Sequence, residues 1–497
     1  MITTPKEFLG FFSSGCKNFE YVLPGFIYIF GCSSSFLNSS DIVYIPLLFI
    51  IVVVVNFSKS ILHQTYSKKT LIETFETIYC LCFDFRMKNK AIEIIKNAEA
   101  KVSEQFKITD EIKEFNQEKV LDAFIKNQIG AQHFYTVTGY GHDDIGREAL
   151  DNVFADIFHT DKAMARPHFV SGTHTLSCCL FGCLRHGDKL LSVAGAPYDT
   201  MEEVIGNRGN FKQSLMGHGV SYDEVPLLND TDIDFEKLSE MVDNSVTMVL
   251  IQRSRGYSQR KSLTIEIIEK IIKTVKAKNP DCICFVDNCY GEFVEKLEPT
   301  DVGADLIAGS LIKNIGGGIV EAGGYVAGKD ELVELVAASL TAPGICREGG
   351  AMFNQARLMF QGVFMAPSIV SEAVKGAILA SQVFEDMGFI STPKPHDVRT
   401  DLIQTIKFGK KEPQLEFCKT IQECSPVESY LTPIPDVVPG YEDDLIMAGG
   451  TFIEGSTIEL SADGPVRPPY AVYMQGGLNY AHVKIALTRT VEKILNL

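Results

Sequence analysis

At 497 residues the chain exceeds one ordinary domain, so two or three are expected. A net charge of −17 argues against nucleic acid as a partner, because phosphate backbones need a basic face. The thirteen cysteines are odd in number and scattered, with no repeated C-x-x-C spacing. They read as reduced, buried, soft hydrophobes in a reducing compartment, and no metal site is expected.

Residues 1–86 differ from the rest, being aromatic, β-branched and poor in charge. They contain the apolar run Ile42 to Val55, 14 residues long, against the roughly 20 that a membrane-spanning helix needs. Extending the run to Phe57 takes in Asn56. Lys59, Lys68 and Lys69 follow, so a span here places the main body in the cytosol. Three readings compete: a membrane anchor, a targeting leader, or a non-native extension upstream of Met87. Any membrane contact is confined to 42–57, and no catalytic signal lies in 1–86.

From Met87 the composition turns ordinary. Lys88 to Lys126 carries helical apolar spacing and predicts one or two helices. A Gly- and Asp-rich loop follows, Thr138-Gly139-Tyr140-Gly141-His142-Asp143-Asp144-Ile145-Gly146-Arg147-Glu148. Its Tyr140 and Arg147 can hold a phosphate, or mark a plain helix entry. Leu150, Val153, Phe154, Ile157 and Phe158 then share one helix face. Next, Ser171-Gly172-Thr173-His174 stands between a strand and the apolar helical stretch Leu176 to Leu184. Backbone N–H groups at a helix start, with the hydroxyls of Ser171 and Thr173, can converge on one anion. The competing reading is an ordinary N-cap. His174 either packs on a ring or sits in the first turn.

A turn and strand are expected over Gly187 to Val193, and strands at Thr247 to Ile251, Cys282 to Val286 and Asp305 to Ala308, with a helix face at Ile265, Ile268, Ile271, Ile272 and Val275. Alternation of this kind predicts a mainly parallel sheet covered by helices, with ligands at the edge where strands end. Tyr198, Asp287 and Ser310-Leu311-Ile312-Lys313 cluster at such ends. A lysine beside close-approaching backbone (Gly316-Gly317-Gly318) is either an exposed lysine in a glycine-rich turn or one poised to form a Schiff base, its pKa then expected to fall on burial. An aspartate at a strand end can pair with a pyridinium N–H, or merely cap a helix.

The order Tyr140…Arg147, Ser171-Gly172-Thr173, Tyr198, Asp287, Ser310-x-x-Lys313 resembles the fold type I pyridoxal phosphate (PLP) enzymes of cysteine and methionine metabolism. The nearer match is the methionine gamma-lyase-like group, also called aluminium resistance proteins. Gly139-Tyr140-Gly141, Asp144-Ile145-Gly146-Arg147, Pro197-Tyr198-Asp199-Thr200, Pro439-Gly440-Tyr441 and Gln475-Gly476-Gly477-Leu478 all resemble that group. The resemblance covers about Lys88 to Leu497.

It implies an α/β fold type I PLP-dependent transferase fold: a large domain with a mainly parallel mixed sheet between helices, and a smaller C-terminal α+β domain. The boundaries expected are a helical segment at 87–140, the PLP-binding domain at 141–380 and the small domain at 381–497. It also implies roles. Lys313 is the Schiff-base lysine and proton shuttle, and Asp287 pairs with the pyridine nitrogen. Ser171, Gly172, Thr173 and Ser310 bind phosphate, with His174 beside the cofactor. Tyr140 and Arg147 reach the phosphate from a neighbouring subunit, so a homodimer or homotetramer is expected. Tyr198 stacks on the ring and assists the leaving group.

The sequence departs from the wider family in two places. Ile312 stands where a hydroxyl residue precedes the lysine, and Glu459-Leu460-Ser461 replaces an Arg-Leu-Ser segment. Arg467 and Arg399 then become the candidates for binding the substrate carboxylate. The implied activity is a cytoplasmic carbon–sulfur lyase acting by elimination on a sulfur amino acid. The alternatives are γ-replacement, transamination, or a membrane-attached non-catalytic binding protein. A long helix is expected from Ala366 to Met387, and a loop facing the cleft from Ser461 to Tyr470.

Overall fold

The strand Met248–Gln252 is buried at every residue and reads Met-Val-Leu-Ile-Gln, aliphatic without polar alternation, as a strand covered on both faces must be. Met248 and Leu250 pack in one apolar cluster and Val249 and Ile251 in another, so alternate side chains feed two cores. The computed structural model describes residues 86–497, except 210, 257, 259 and 438–442. The apolar run 42–55 and the Pro439-Gly440-Tyr441 match therefore lie outside the described residues.

Seven strands form the larger sheet. In spatial order they are Lys162–Arg166, Gly324–Gly328, Leu306–Ser310, Ile283–Asp287, Met248–Gln252, Lys189–Ser192 and Ser221–Glu224. Only Gly324–Gly328 runs against its neighbours; the other pairings are parallel. The remaining strands therefore all end at one edge, with Gln252 beside Asp287 in register and Ser310 one strand further on. One face packs against the helices Ile145–Ile157 and Ile265–Lys278, the other against Gly172–Cys183 and Asp330–Leu340. Ile265, Ile268, Ile271, Ile272 and Val275 are all buried, as their spacing predicts.

A second sheet of five antiparallel strands follows, in the order Ile390–Thr392, Gln404–Lys407, Ala471–Gln475, Ser461–Pro465, Leu445–Ala448. The helices Lys411–Glu423 and Tyr480–Ile494 pack with it around a core that includes Phe384, Phe408 and Phe417. This is the fold type I architecture, α/β with a smaller C-terminal sheet.

Three expectations need correction. The long helix is Ala356–Asp386, starting ten residues before Ala366 and running across residue 381. Pro367 lies inside the helix, where proline removes one backbone hydrogen bond. Burial of Met359, Phe360, Val363, Ala366 and Val370 outweighs the ~3 kcal/mol that an interior proline costs. This helix is long and apolar enough to cross a bilayer, yet 67% of its most apolar window is packed inside the protein. Second, Ser461–Pro465 is a central strand of the small sheet, not a loop, because it pairs on both sides. Third, the strand before Lys313 ends at Ser310, so the lysine stands in the following turn and not at the strand end.

Candidate active site

Ser171 sits in extended backbone before the helix Gly172–Cys183, and its Oγ accepts the His174 N–H at 3.1 Å. Such a cap contributes about 1 kcal/mol and directs the helix start toward the strand edge. Gly172 is required by close approach. A Cβ there would lie 3.2 Å from Ser310 Cβ and 3.8 Å from Cys289 Sγ. The hydroxyls of Thr173 and Tyr198 lie 3.1 Å apart. Tyr198 is itself held at the edge, its backbone N–H donating to Gln252 Oε1 at 3.0 Å. Burial, then the nearby Asp287, push the Tyr198 phenol pKa up. His174 remains in the first turn, its Nδ1 accepting the Val170 N–H at 3.0 Å and its ring edge-on to Phe169. Burial pushes its pKa down.

Asp287 ends its strand, 6% exposed, and accepts the Cys289 backbone N–H at 3.1 Å. Burial holds its carboxyl above the ordinary range, although Lys313 draws it back. Lys313 Nζ stands 4.1 Å from the centre of the Tyr290 ring. Burial alone would lower the ammonium pKa, but Cys289, Tyr290, Asp287 and Tyr198 outweigh it, and the net direction is up. The sequence-based expectation of a lowered lysine considered burial without the acidic side chains that converge on Nζ. The cradle, the aspartate and the lysine, 142 positions apart from Ser171 to Lys313, thus meet at one sheet edge.

A family profile described as methionine gamma-lyase matches residues 91–495. The chain belongs to the methionine gamma-lyase family. The uncharacterized protein YnbB of Bacillus subtilis (strain 168) is 47% identical over 410 residues, 82% of this chain and 96% of that protein. A Listeria monocytogenes protein, provisionally assigned as a cystathionine beta-lyase involved in aluminum resistance, is 50% identical. Its crystal structure superimposes with a TM-score of 0.80, covering 81% of this chain and 99% of that one. The carbon-sulfur lyase involved in aluminum resistance from Clostridium novyi NT is 48% identical, with a TM-score of 0.79 over 82% of this chain and 97% of that one. At 16% identity and a TM-score of 0.54, the pyridoxal-5'-phosphate dependent protein YhfS of Escherichia coli shares the fold.

The methionine gamma-lyase family and its fold imply PLP, and the residues present fit it. Ser310 Oγ is buried without a hydrogen-bond partner among the described residues, directly beside Gly172. An unpaired buried hydroxyl costs about 1–3 kcal/mol, so it marks a place built for a polar group. The start of the helix at Gly172 meets the same place, with the Thr173 hydroxyl one residue further on, a donor set suited to a phosphate.

The remaining candidates are distributed differently. Tyr140 is 83% exposed. Arg147 is fully buried, and its guanidinium donates to the carbonyls of Gly141, Gly350 and Glu348 within its own chain. Those bonds tie the Tyr140 loop to the loop before the long helix. Arg399 is buried, donating from Nη1 to Gln404 Oε1 at 2.6 Å and from Nη2 to the Lys394 carbonyl at 3.3 Å. Among the described residues its Nε has no partner, and burial pushes its pKa down to about 10. Arg467 stands at the surface in a 2.6 Å ion pair with Asp443.

Sequence reasoning missed Cys289, Tyr290 and the network behind them. Tyr325 donates to Glu292 at 2.9 Å, Asn288 to Glu298 at 3.1 Å, and Arg253 to Asn288 at 2.8 Å. Burial pushes the Glu292 carboxyl up to about 8. Their signal was the run Asn288-Cys289-Tyr290-Gly291-Glu292 directly after Asp287, since polar residues past a strand end flank ligand sites in α/β sheets.

Proposed function

We propose that this chain is a PLP-dependent carbon–sulfur lyase that acts by elimination on a sulfur amino acid. The observation that carries this reading is the convergence of Lys313, Asp287 and the unpaired Ser310 hydroxyl beside Gly172. When bound, PLP supplies an electron sink for the charge left after α-proton removal.

The chain's own residues do the rest. Ser171, Gly172, Thr173 and Ser310 bind the phosphate. Asp287, buried beside Lys313, provides a carboxylate to hold a ring N–H and keep the ring cationic. Lys313 Nζ holds and moves the proton at the substrate α-carbon. Tyr198 OH, kept neutral by burial, donates toward the departing sulfur. Arg399 is the stronger carboxylate clamp, because its Nε is a buried donor without a partner among the described residues. Its segment also meets the strand edge, with Ser254 donating to Asp401 at 2.8 Å and Arg253 to Thr400 at 3.3 Å. Arg467 is already paired at the surface. Tyr140, exposed on its loop, is available to a second copy of the chain, and the reading includes a homo-oligomer.

The test is a screen of cystathionine, cysteine, homocysteine and methionine for ketoacid and thiol release, alongside Lys313→Ala. The wild-type chain releases both products from at least one of these and shows a visible band that borohydride abolishes. Lys313→Ala folds and loses turnover and band together. A borohydride-sensitive band on the variant assigns the link to another lysine. Product lacking the original amine without thiol release favours transamination.

A further inference from the structure

Ile312 and Glu459, the two departures from the wider family pattern, stand at the ends of one structural strap. Glu459 is 3% exposed, and its two carboxylate oxygens accept the backbone N–H groups of Phe452 at 2.9 Å and Ile453 at 3.0 Å. That capture fixes the turn in which the Ser456 N–H returns to the Ile453 carbonyl at 3.0 Å. Ser456, 2% exposed, then donates its hydroxyl to the Ile312 carbonyl at 2.9 Å. A Cβ on Gly455 would lie 3.9 Å from Ile312 Cδ1, so the same turn also lies along the isoleucine side chain. The Ile312 carbonyl belongs to the peptide unit that joins Ile312 to Lys313.

We propose that Ser456 and Glu459 are positioning residues for Lys313: the strap from the small-sheet region pins the peptide that carries the lysine and sets where Nζ stands. The proposal rests on the lyase reading for what Lys313 does, but its geometry does not. The lysine side chain has four rotatable bonds, and its backbone carries no strand pairing of its own, lying in a turn after Ser310. A hydroxyl anchored to the preceding carbonyl restrains the tilt of that peptide plane, and with it the base from which the side chain carries Nζ.

The test uses Ser456→Ala, Ser456→Thr and Glu459→Gln in the full-length holoenzyme. Ser456→Ala is expected to lower kcat roughly three- to tenfold, the worth of one hydrogen bond, with KM and PLP affinity within about twofold of wild type. Ser456→Thr retains the hydroxyl and restores most of the rate. Amide hydrogen exchange is the second readout and needs no turnover. Ser456→Ala and Glu459→Gln speed exchange at residues 313–316, and Glu459→Gln also at 452 and 453. Loss of the lyase activity in wild type would leave the exchange result standing, so failure of the strap and failure of the lyase reading are distinguishable. Unchanged exchange at 313–316 in both variants overturns the proposal, as does a lowered Tm with kcat unaltered.

Discussion

The Asp287 carboxylate accepts the backbone N–H of Cys289 at 3.1 Å, while Lys313 draws its raised pKa back down. Lys313 from the next strand's turn, the bonds to Cys289 and the charge of Arg260 thus hold this carboxylate, against a burial that opposes ionisation. Asp287→Asn keeps the shape and the acceptor for Cys289 but removes the charge. PLP should stay bound while turnover falls roughly 10²-fold or more, the scale of losing one preorganised electrostatic partner. Steady-state rates and cofactor absorbance check this. Near-wild-type turnover would reduce Asp287 to a structural bond.

Arg147 spends its guanidinium on three backbone carbonyls. Arg147→Ala leaves them unpaired in a buried place and should cost on the order of 3 kcal/mol of stability. Because these bonds hold the Tyr140 loop, PLP retention and subunit assembly should weaken as well. Thermal melting, cofactor occupancy and light scattering measure the three effects. A variant with wild-type occupancy and assembly would confine Arg147 to folding.

Glu292 is buried against Tyr325, with its Oε2 unpaired among the described residues and its pKa raised from 4.5 to about 8. The folded state therefore holds a proton that the unfolded chain releases above about pH 4.5. Stability from this group is fully present below that value and falls as pH rises toward 8, by a few kcal/mol in all. Glu292→Gln mimics the protonated form and should flatten that decline. Melting temperatures of both proteins between pH 5 and 9 decide the matter: parallel curves assign the slope to another group.

A chain starting at Met87 should be soluble and bind PLP. Helical structure runs from residue 86, with Ala91, Ile95 and Ala98 buried in the small-sheet core, and every proposed cofactor residue lies between Tyr140 and Lys313. The Listeria monocytogenes structure, matched over 99% of its own length, accounts for 81% of this chain. Soluble yield and PLP occupancy are the measurements. An insoluble or cofactor-free product would make residues 1–86 part of the working fold.

Local order was legible in the sequence because it depends on neighbours a few positions apart. The unbroken aliphatic run at 248–251 specifies a strand buried on both faces, and the spacing of Ile265, Ile268, Ile271, Ile272 and Val275 specifies a helix face. Ser171, Asp287 and Lys313 stood out because each follows such an element at the edge where α/β sheets bind ligands. Only the tertiary structure decided what surrounds them. The direction of the Lys313 pKa depends on Tyr198, Asp287, Cys289 and Tyr290 together, and Arg147 depends on Gly350 and Glu348, some 200 positions away. Pro367 stays helical because packing outweighs its local cost, and Glu459 reaches Ile312 through Ser456 across 147 positions. Propensity and periodicity act over one or two turns of chain, whereas burial, charge and hydrogen-bond partnership are sums over whatever the fold brings within a few ångströms.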